Sequence, residues 1–521
     1  MSSGNSNTDW RKKAEAFLAN DTGFRLGFLP SEARNPLTMH LDDDFRESTE
    51  SGVRTLLSCD RALLPMIRQT LKRPEYRMMI QAMRKAERII FSGCGATGRL
   101  AVLLESAWNE AFPGEKRVLS ILTGGDFALV RSVENFEDHP EVGKRQAEEL
   151  DVRDKDVLAG ITATGETASV LGSAKEAARR GSQVFLLICV PRDLPASRLE
   201  RCRELYRQPN VCVIDMPVGG MAITGSTRMQ STTIEQLIAA SALEEAFLMT
   251  DTDYAAGFAE LLDHLESPES IRSIAEAIDH ETAIRRENGL IDYLAEDLVL
   301  DLLSDTTERS PTFMVPPYKP CDDLCSAEPW AMVRNPSLST PDAWRQCLKR
   351  EIRCISWKKE DYRRFGLEVL TENGIPSISG KDLLKIRIGR EFLPGRAGAE
   401  KLPIHPEADG ALRFSGRRIG GAVRKTPLRI FEHLQLKLAM NTISTGTMVR
   451  LGRVRSNYMI HLAISNKKLI DRACRIISEL CSIPYEDACR ELFRTCSLLN
   501  APNLSPVAET LRRLGEKTPF P

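Results

Sequence analysis

The 521-residue chain has no surplus charge of either sign: 71 Lys and Arg face 72 Asp and Glu. A duplex-binding protein usually carries a basic excess, so nucleic acid is not expected as a partner. No run approaches the ~20 apolar residues that span a bilayer, so no membrane partner is expected. The 13 cysteines include no Cys-x-x-Cys pair, and the 7 histidines show no His-x-x-x-His spacing. Neither pattern is a zinc signature, and neither a metal nor a cofactor is expected. The opening Met1-Ser2-Ser3-Gly4-Asn5 is polar and shows no secretory signal. With cysteines scattered singly, this predicts reduced thiols and a cytoplasmic location.

What the chain does have is three short turns rich in Gly, Ser and Thr. Gly93-Cys94-Gly95-Ala96-Thr97-Gly98-Arg99 follows the apolar Ile89-Ile90-Phe91. Thr162-Ala163-Thr164-Gly165-Glu166-Thr167 follows Val157 to Ile161, and Thr224-Gly225-Ser226-Thr227-Arg228 is the third. Such turns gather backbone N–H groups and hydroxyls at a helix start, which holds a phosphate. Three of them predict a phosphorylated small molecule, a sugar phosphate first. The turn after Phe91 also fits G-x-G-x-x-G, so a dinucleotide site competes. That reading wants an acid ending the next strand. Here that strand ends in Leu122-Thr123-Gly124-Gly125-Asp126, where the acid arrives late.

Short apolar runs alternate with helical patterns from Ala86 to Ile214, which predicts a parallel sheet covered on both faces. The runs are 89–91, 118–122, 157–161, 184–190 and 211–214. Helical patterning follows over 232–247 and 254–264. In the less regular second half, the expected strands are 354–357, 384–388 and 428–431, with surface loops at 311–320 and 395–421. From about His433 onward the chain reads as helical.

Several motifs together resemble the sugar isomerase (SIS) domain superfamily, in the group holding N-acetylmuramic acid 6-phosphate etherase and glucokinase regulatory protein. Glu134-Asn135-Phe136-Glu137-Asp138 resembles E-G-x-E-D, and Gly225 to Met229 resembles G-S-S/T-R-M. Asn441 to Gly446 is similar to N-x-x-S-T-G, and Ile464 to Leu469 to I-S-N-x-K-L. The resemblance runs from Arg34-Asn35-Pro36-Leu37-Thr38 to about Cys496. It implies an α/β fold with two fused SIS-type three-layer αβα domains, their sheets parallel, and a C-terminal helical segment. The expected divisions are a lead-in at 1–45, a first SIS domain at 46–265, a second at 266–475, and a helical segment at 476–521.

The etherases follow their glycine loop with G-R-L-G-x-L-D-A-S-E-C-P-P-T-F. Here Gly98-Arg99-Leu100 begins that run, but Ala107 fills the glutamate slot. Glu105 comes two residues early, a turn of about 200° around a helix. The missing piece stands in the second half as Asp305-Thr306-Thr307-Glu308-Arg309-Ser310-Pro311-Thr312-Phe313. There the upstream loop is Ala295-Glu296-Asp297-Leu298, whose carboxylates would repel phosphate. A fused pair of halves sharing one composite site would read this way.

The expected ligand-binding residues are Gly95, Ala96, Thr97, Thr164, Gly165, Thr167, Glu137, Ser226, Arg228, Glu308 and Lys437. The hydroxyls could equally be helix caps, and Arg99 reads as structural. The resemblance gives Glu137 the proton beside the sugar carbonyl, brings Glu308 across from the second half, and draws Lys437 to the phosphate. If the protein is an enzyme, Glu137 and Glu308 are its catalytic pair. The first functional reading is a regulator that binds a hexose phosphate, fructose phosphate-like, between its domains and acts on a partner kinase of the hexokinase or glucokinase type. Fusion, Ala107 and Phe136 speak for it. The alternative is an etherase, a carbon-oxygen lyase releasing lactate. A third is an aldose-ketose isomerase, which commonly needs a His, and none stands in a motif slot.

Overall fold

The computed structural model describes residues 6–248, 250–372, 374–499 and 504–515; the first five residues of the expected lead-in and the last six of the chain lie outside it. Strand β1 (Ile89–Gly93) is buried along its whole length. Ile89 and Phe91 face one core and Ile90 another, as the two-residue period of a strand requires. Helix α1 (Ala96–Ala111), β2 (Val118–Leu122), β3 (Val157–Ile161), α2 (Ala168–Arg179), β4 (Gln183–Ile188), α3 (Glu200–Tyr206) and β5 (Val211–Asp215) follow. The five strands are parallel in the order β2-β1-β3-β4-β5. Ile89 stands opposite Val118 on one side and Val157 on the other. The chain order therefore reverses at β1. Open α/β sheets bind ligands at such a switch point, beyond the carboxyl ends of the strands.

Helix α4 (Gln230–Phe247) is buried on nearly every side. The second sheet is built from β6 (Ile291–Leu294), then, after helix α5 (Val299–Phe313), β7 (Ala331–Arg334), β8 (Glu400–Pro406), β9 (Leu412–Phe414) and β10 (Arg417–Ile419). Its order is β10-β9-β8-β6-β7. The β7-β6-β8 core is parallel, and β9 and β10 extend it antiparallel.

Three strands expected in this half are not strands. Cys354 makes only an isolated bridge to Gly125, the 384–388 run leaves a short helix, and Leu428 to Phe431 leads into helix α6 (Ile430–Arg450). Conversely, the expected loop at 395–421 folds into β8 to β10. Gly410 and Gly416, at φ of 96° and 85°, make the tight reversals between them. Pro311, expected in a loop, sits inside α5.

Helices α4 and α6 pack against each other, and each bonds the segment that leads into the other. Asn441 on α6 donates to the Arg228 carbonyl at 3.2 Å, while Glu244 on α4 accepts from the Leu428 N–H at 2.8 Å. This reciprocity is what a duplicated unit would leave. The chain then returns to the first sheet through helix α7 (Lys467–Cys481). Its Arg472 and Arg475 grip Glu32 of the N-terminal segment, and Lys467 pairs with Asp21. Among the described residues, no helix is long and apolar enough to cross a membrane.

Candidate functional site

A cavity of about 130 Å³, open to solvent, lies at the β1 switch point. Its floor is the turn after β1 (Cys94, Gly95 and Ala96) and Thr123 after β2. The third turn supplies Gly225, Ser226 and Thr227. Glu137 enters from the loop before the helix Pro140–Glu149, and Glu308 from α5 of the second half. The segment from Met459 to Arg472 forms another wall. Gly225 has φ of 74°, and an added Cβ would stand 2.5 Å from the Arg472 guanidinium. Only glycine lets that arginine lie against the turn.

The lining carries three cations, Arg99, Lys468 and Arg472, against two carboxylates, Glu137 and Glu308. Lys468 reaches Glu137 at 3.2 Å. Burial opposes the charge on Lys468, but Glu137 and Glu166 outweigh it and hold its pKa above the usual lysine value. Arg99 bonds Glu308 and donates to the Ala128 carbonyl at 2.9 Å. Arg472 is anchored on Glu32, which is fully buried. Burial pushes the Cys94 thiol up, with Glu137 adding to it, so Cys94 stays protonated.

The cavity gathers Gly95, Ala96, Glu137, Ser226 and Glu308 from the expected set. The others stand outside its wall. The Thr97 hydroxyl closes its own turn, donating to the Cys94 carbonyl at 3.0 Å and accepting from the Cys94 N–H at 3.2 Å. Thr164 donates to Glu166 at 3.1 Å, and Thr167 shares a 2.9 Å bond with Thr162. Thr167 opens instead on an adjoining cleft that shares Glu137 and Lys468 with the main cavity. Gly165 turns its carbonyl to the Tyr206 hydroxyl at 2.6 Å.

Arg228 is buried between the halves. It pairs with Asp305 at 2.8 Å and donates to Thr445 at 2.9 Å. Lys437 and Arg228 border a neighbouring cleft that shares Ala96, Arg99 and Glu308 with the main cavity; the Lys437 ammonium donates to the Arg228 and Met229 carbonyls and to Thr233 at 2.7 Å. Burial lowers it to about 8, and it steadies the start of α4. The lysine that lines the cavity is Lys468, the K of the I-S-N-x-K-L run. Asn466 and Lys468 were thus within a recognised motif, and only their approach from the far end of the chain was hidden. Arg99, read as structural, lines the cavity as well as steadying it.

Glu105 points away from the cavity, to Ser120 at 2.6 Å and to Arg350 and Arg353. In the second half, the counterpart of the phosphate turn is occupied by its own chain. Asp297 is paired with Arg429 at 2.6 Å and Asp301 with His433 at 2.8 Å, beside Ala107. Among the described residues, no three His, Cys, Asp or Glu side chains cluster to hold a metal ion.

The parallel sheet, its switch point and its glycine turns fit the SIS-type fold that the motifs imply, and the group is given by similarity to known proteins. The profile of the glucokinase regulatory protein N-terminal SIS domain matches residues 74–177. N-acetylmuramic acid 6-phosphate etherase of Yersinia pestis is 32% identical over 216 residues, which are 41% of this chain and 68% of the etherase. That of Salmonella agona is 31% identical over 218 residues, 41% of this chain and 68% of the relative. The matches thus span about two thirds of each etherase and two fifths of this chain. Among solved structures, tagatose-6-phosphate ketose/aldose isomerase of Escherichia coli aligns at a TM-score of 0.34 and 12% identity, covering 78% of this chain and 96% of the isomerase. The chain belongs to the SIS superfamily, in the group of N-acetylmuramic acid 6-phosphate etherase and glucokinase regulatory protein.

Proposed function

We propose that this chain is a phosphosugar lyase of the N-acetylmuramic acid 6-phosphate etherase type, with one composite site. The observation that carries the reading is that Glu137 of the first half and Glu308 of the second share one cavity. The phosphate would rest on the N–H groups at the start of α1 and on Ser226, with Lys468 beside it and the turn before α2 reached through the adjoining cleft. In the open-chain sugar, the C2 proton lies next to the C1 carbonyl and is acidic. Glu137 takes that proton, and its electron pair forms the C2–C3 double bond. The C3–O bond to the lactyl group breaks, and Glu308, protonated once the bound sugar displaces it from Arg99, donates a proton to the departing oxygen. Paired carboxyl groups in opposite roles suit such acid–base work.

The etherase relatives favour this reading over the regulatory one that fusion and Ala107 placed first. The regulator remains a second reading because the family profile matched is that of the regulatory protein. In it the same cavity holds a fructose phosphate-like hexose phosphate, and a sugar kinase is the partner. A lactate-release assay on N-acetylmuramic acid 6-phosphate separates them. The etherase reading expects turnover by the parent and its loss in Glu308→Gln, with ligand affinity kept within a few-fold. A parent that binds hexose phosphate and releases no lactate favours the regulator.

A further inference from the structure

The turn between β3 and α2 carries a buried carboxylate where a phosphate would meet backbone N–H groups. Glu166 stands between Gly165 and Thr167, and its side chain is only 6% exposed. An uncompensated charge there would repel a phosphate dianion through a poorly screened medium. The compensation comes from α3. Arg201 donates through Nε to the Glu166 carbonyl at 2.9 Å and through Nη2 to the Glu166 carboxylate. The Tyr206 hydroxyl and Cys202 thiol hold the preceding carbonyl, that of Gly165.

These bonds also set the direction of the N–H groups. In a planar trans peptide the carbonyl and the next N–H point opposite ways. Anchoring the carbonyls of Gly165 and Glu166 on α3 therefore turns the N–H groups of Glu166 and Thr167 away from that helix. Among the described residues, no backbone acceptor meets either N–H. Glu166 and Thr167 both line the cleft that shares Lys468 with the main cavity.

We propose that Arg201 is a positioning residue for the ligand phosphate: it cancels the charge of Glu166 and so leaves the β3–α2 turn free to receive the anion. This rests on the reading of that turn as a phosphate holder. Without Arg201, Glu166 would compete with the phosphate for Lys468, whose charge it already stabilises. Without Glu166, Arg201 would be a free cation facing the ligand.

The test is a double-mutant cycle read by calorimetric titration with fructose 6-phosphate and, in a Glu137→Gln background that stops turnover, with N-acetylmuramic acid 6-phosphate. Arg201→Gln is expected to weaken binding about tenfold or more, and Glu166→Gln to tighten it several-fold. The double variant Arg201→Gln/Glu166→Gln is expected to return to within about threefold of the parent. Arg201→Lys, which keeps the charge, guards against a folding defect and is expected to bind close to the parent. An Arg201→Gln protein that binds like the parent overturns the proposal. So does a double variant as weak as the single one, because that marks a purely structural strut. A parent that binds neither sugar phosphate refutes the phosphate reading itself, and the parent titration alone reports it.

Discussion

Ser226 and Thr97 carry the same hydroxyl in comparable turns, yet their surroundings assign them opposite work. Ser226 lines the cavity, and its hydroxyl has no protein partner among the described residues. Thr97 spends its hydroxyl on Cys94 and does not reach the cavity. Ser226→Ala is therefore expected to weaken sugar-phosphate binding by about tenfold or more, the worth of a charge-assisted bond, with an unchanged melting temperature. Thr97→Ala is expected to cost about 1 kcal/mol of stability and to act on affinity only through the shape of the turn. Titration and thermal melts of both variants check the pair; equal effects of the two on affinity would contradict the assignment. A sequence shows which residues can donate to a ligand. It does not show which already bond their neighbours in the fold, as Thr97, Thr164 and Lys437 do.

The elements of the first half were legible because its strands are short apolar runs, and β1, β2 and β3 are each closed by a turn containing glycine. Every strand expected there is present, from Ile89–Gly93 to Val211–Asp215. In the second half the apolar runs mislead. Leu428 to Phe431 is apolar because α6 is buried on almost all sides, not because it is a strand. The strands that do form at 400–419 alternate apolar with charged residues and sit among glycines and arginines, which reads as loop.

Least legible was the return of α7 to the first sheet, since no local pattern announces a contact with residues some 440 positions away. Its anchor is Glu32. Burial would raise this carboxyl, but Arg472 and Arg475 outweigh burial and hold it at about 2 against an ordinary 4.5. A depressed carboxyl stabilises the fold above its unfolded value and loses that contribution as pH falls toward its folded value. Glu32→Gln is thus expected to cost about 3 kcal/mol near neutral pH. The gap should narrow below pH 4.5 and vanish near 2. Urea unfolding of parent and variant at several pH values reads this directly; a cost that does not change with pH would contradict the ion-pair account.

At the scale of the whole molecule, the proposed function divides between the two halves. The first keeps the phosphate turns, with Ala107 in the glutamate slot. The second keeps Glu308 and has filled its own turn with Glu296, Asp297 and the Arg429 pair. Residues from both halves meet across the α4–α6 contact, so the cavity exists only when both are folded together. The most direct measurement of this claim is the stoichiometry of ligand binding. Calorimetric titration of the Glu137→Gln protein with N-acetylmuramic acid 6-phosphate avoids turnover and counts sites. One site per chain is the predicted result, and two equal sites per chain would contradict the composite site.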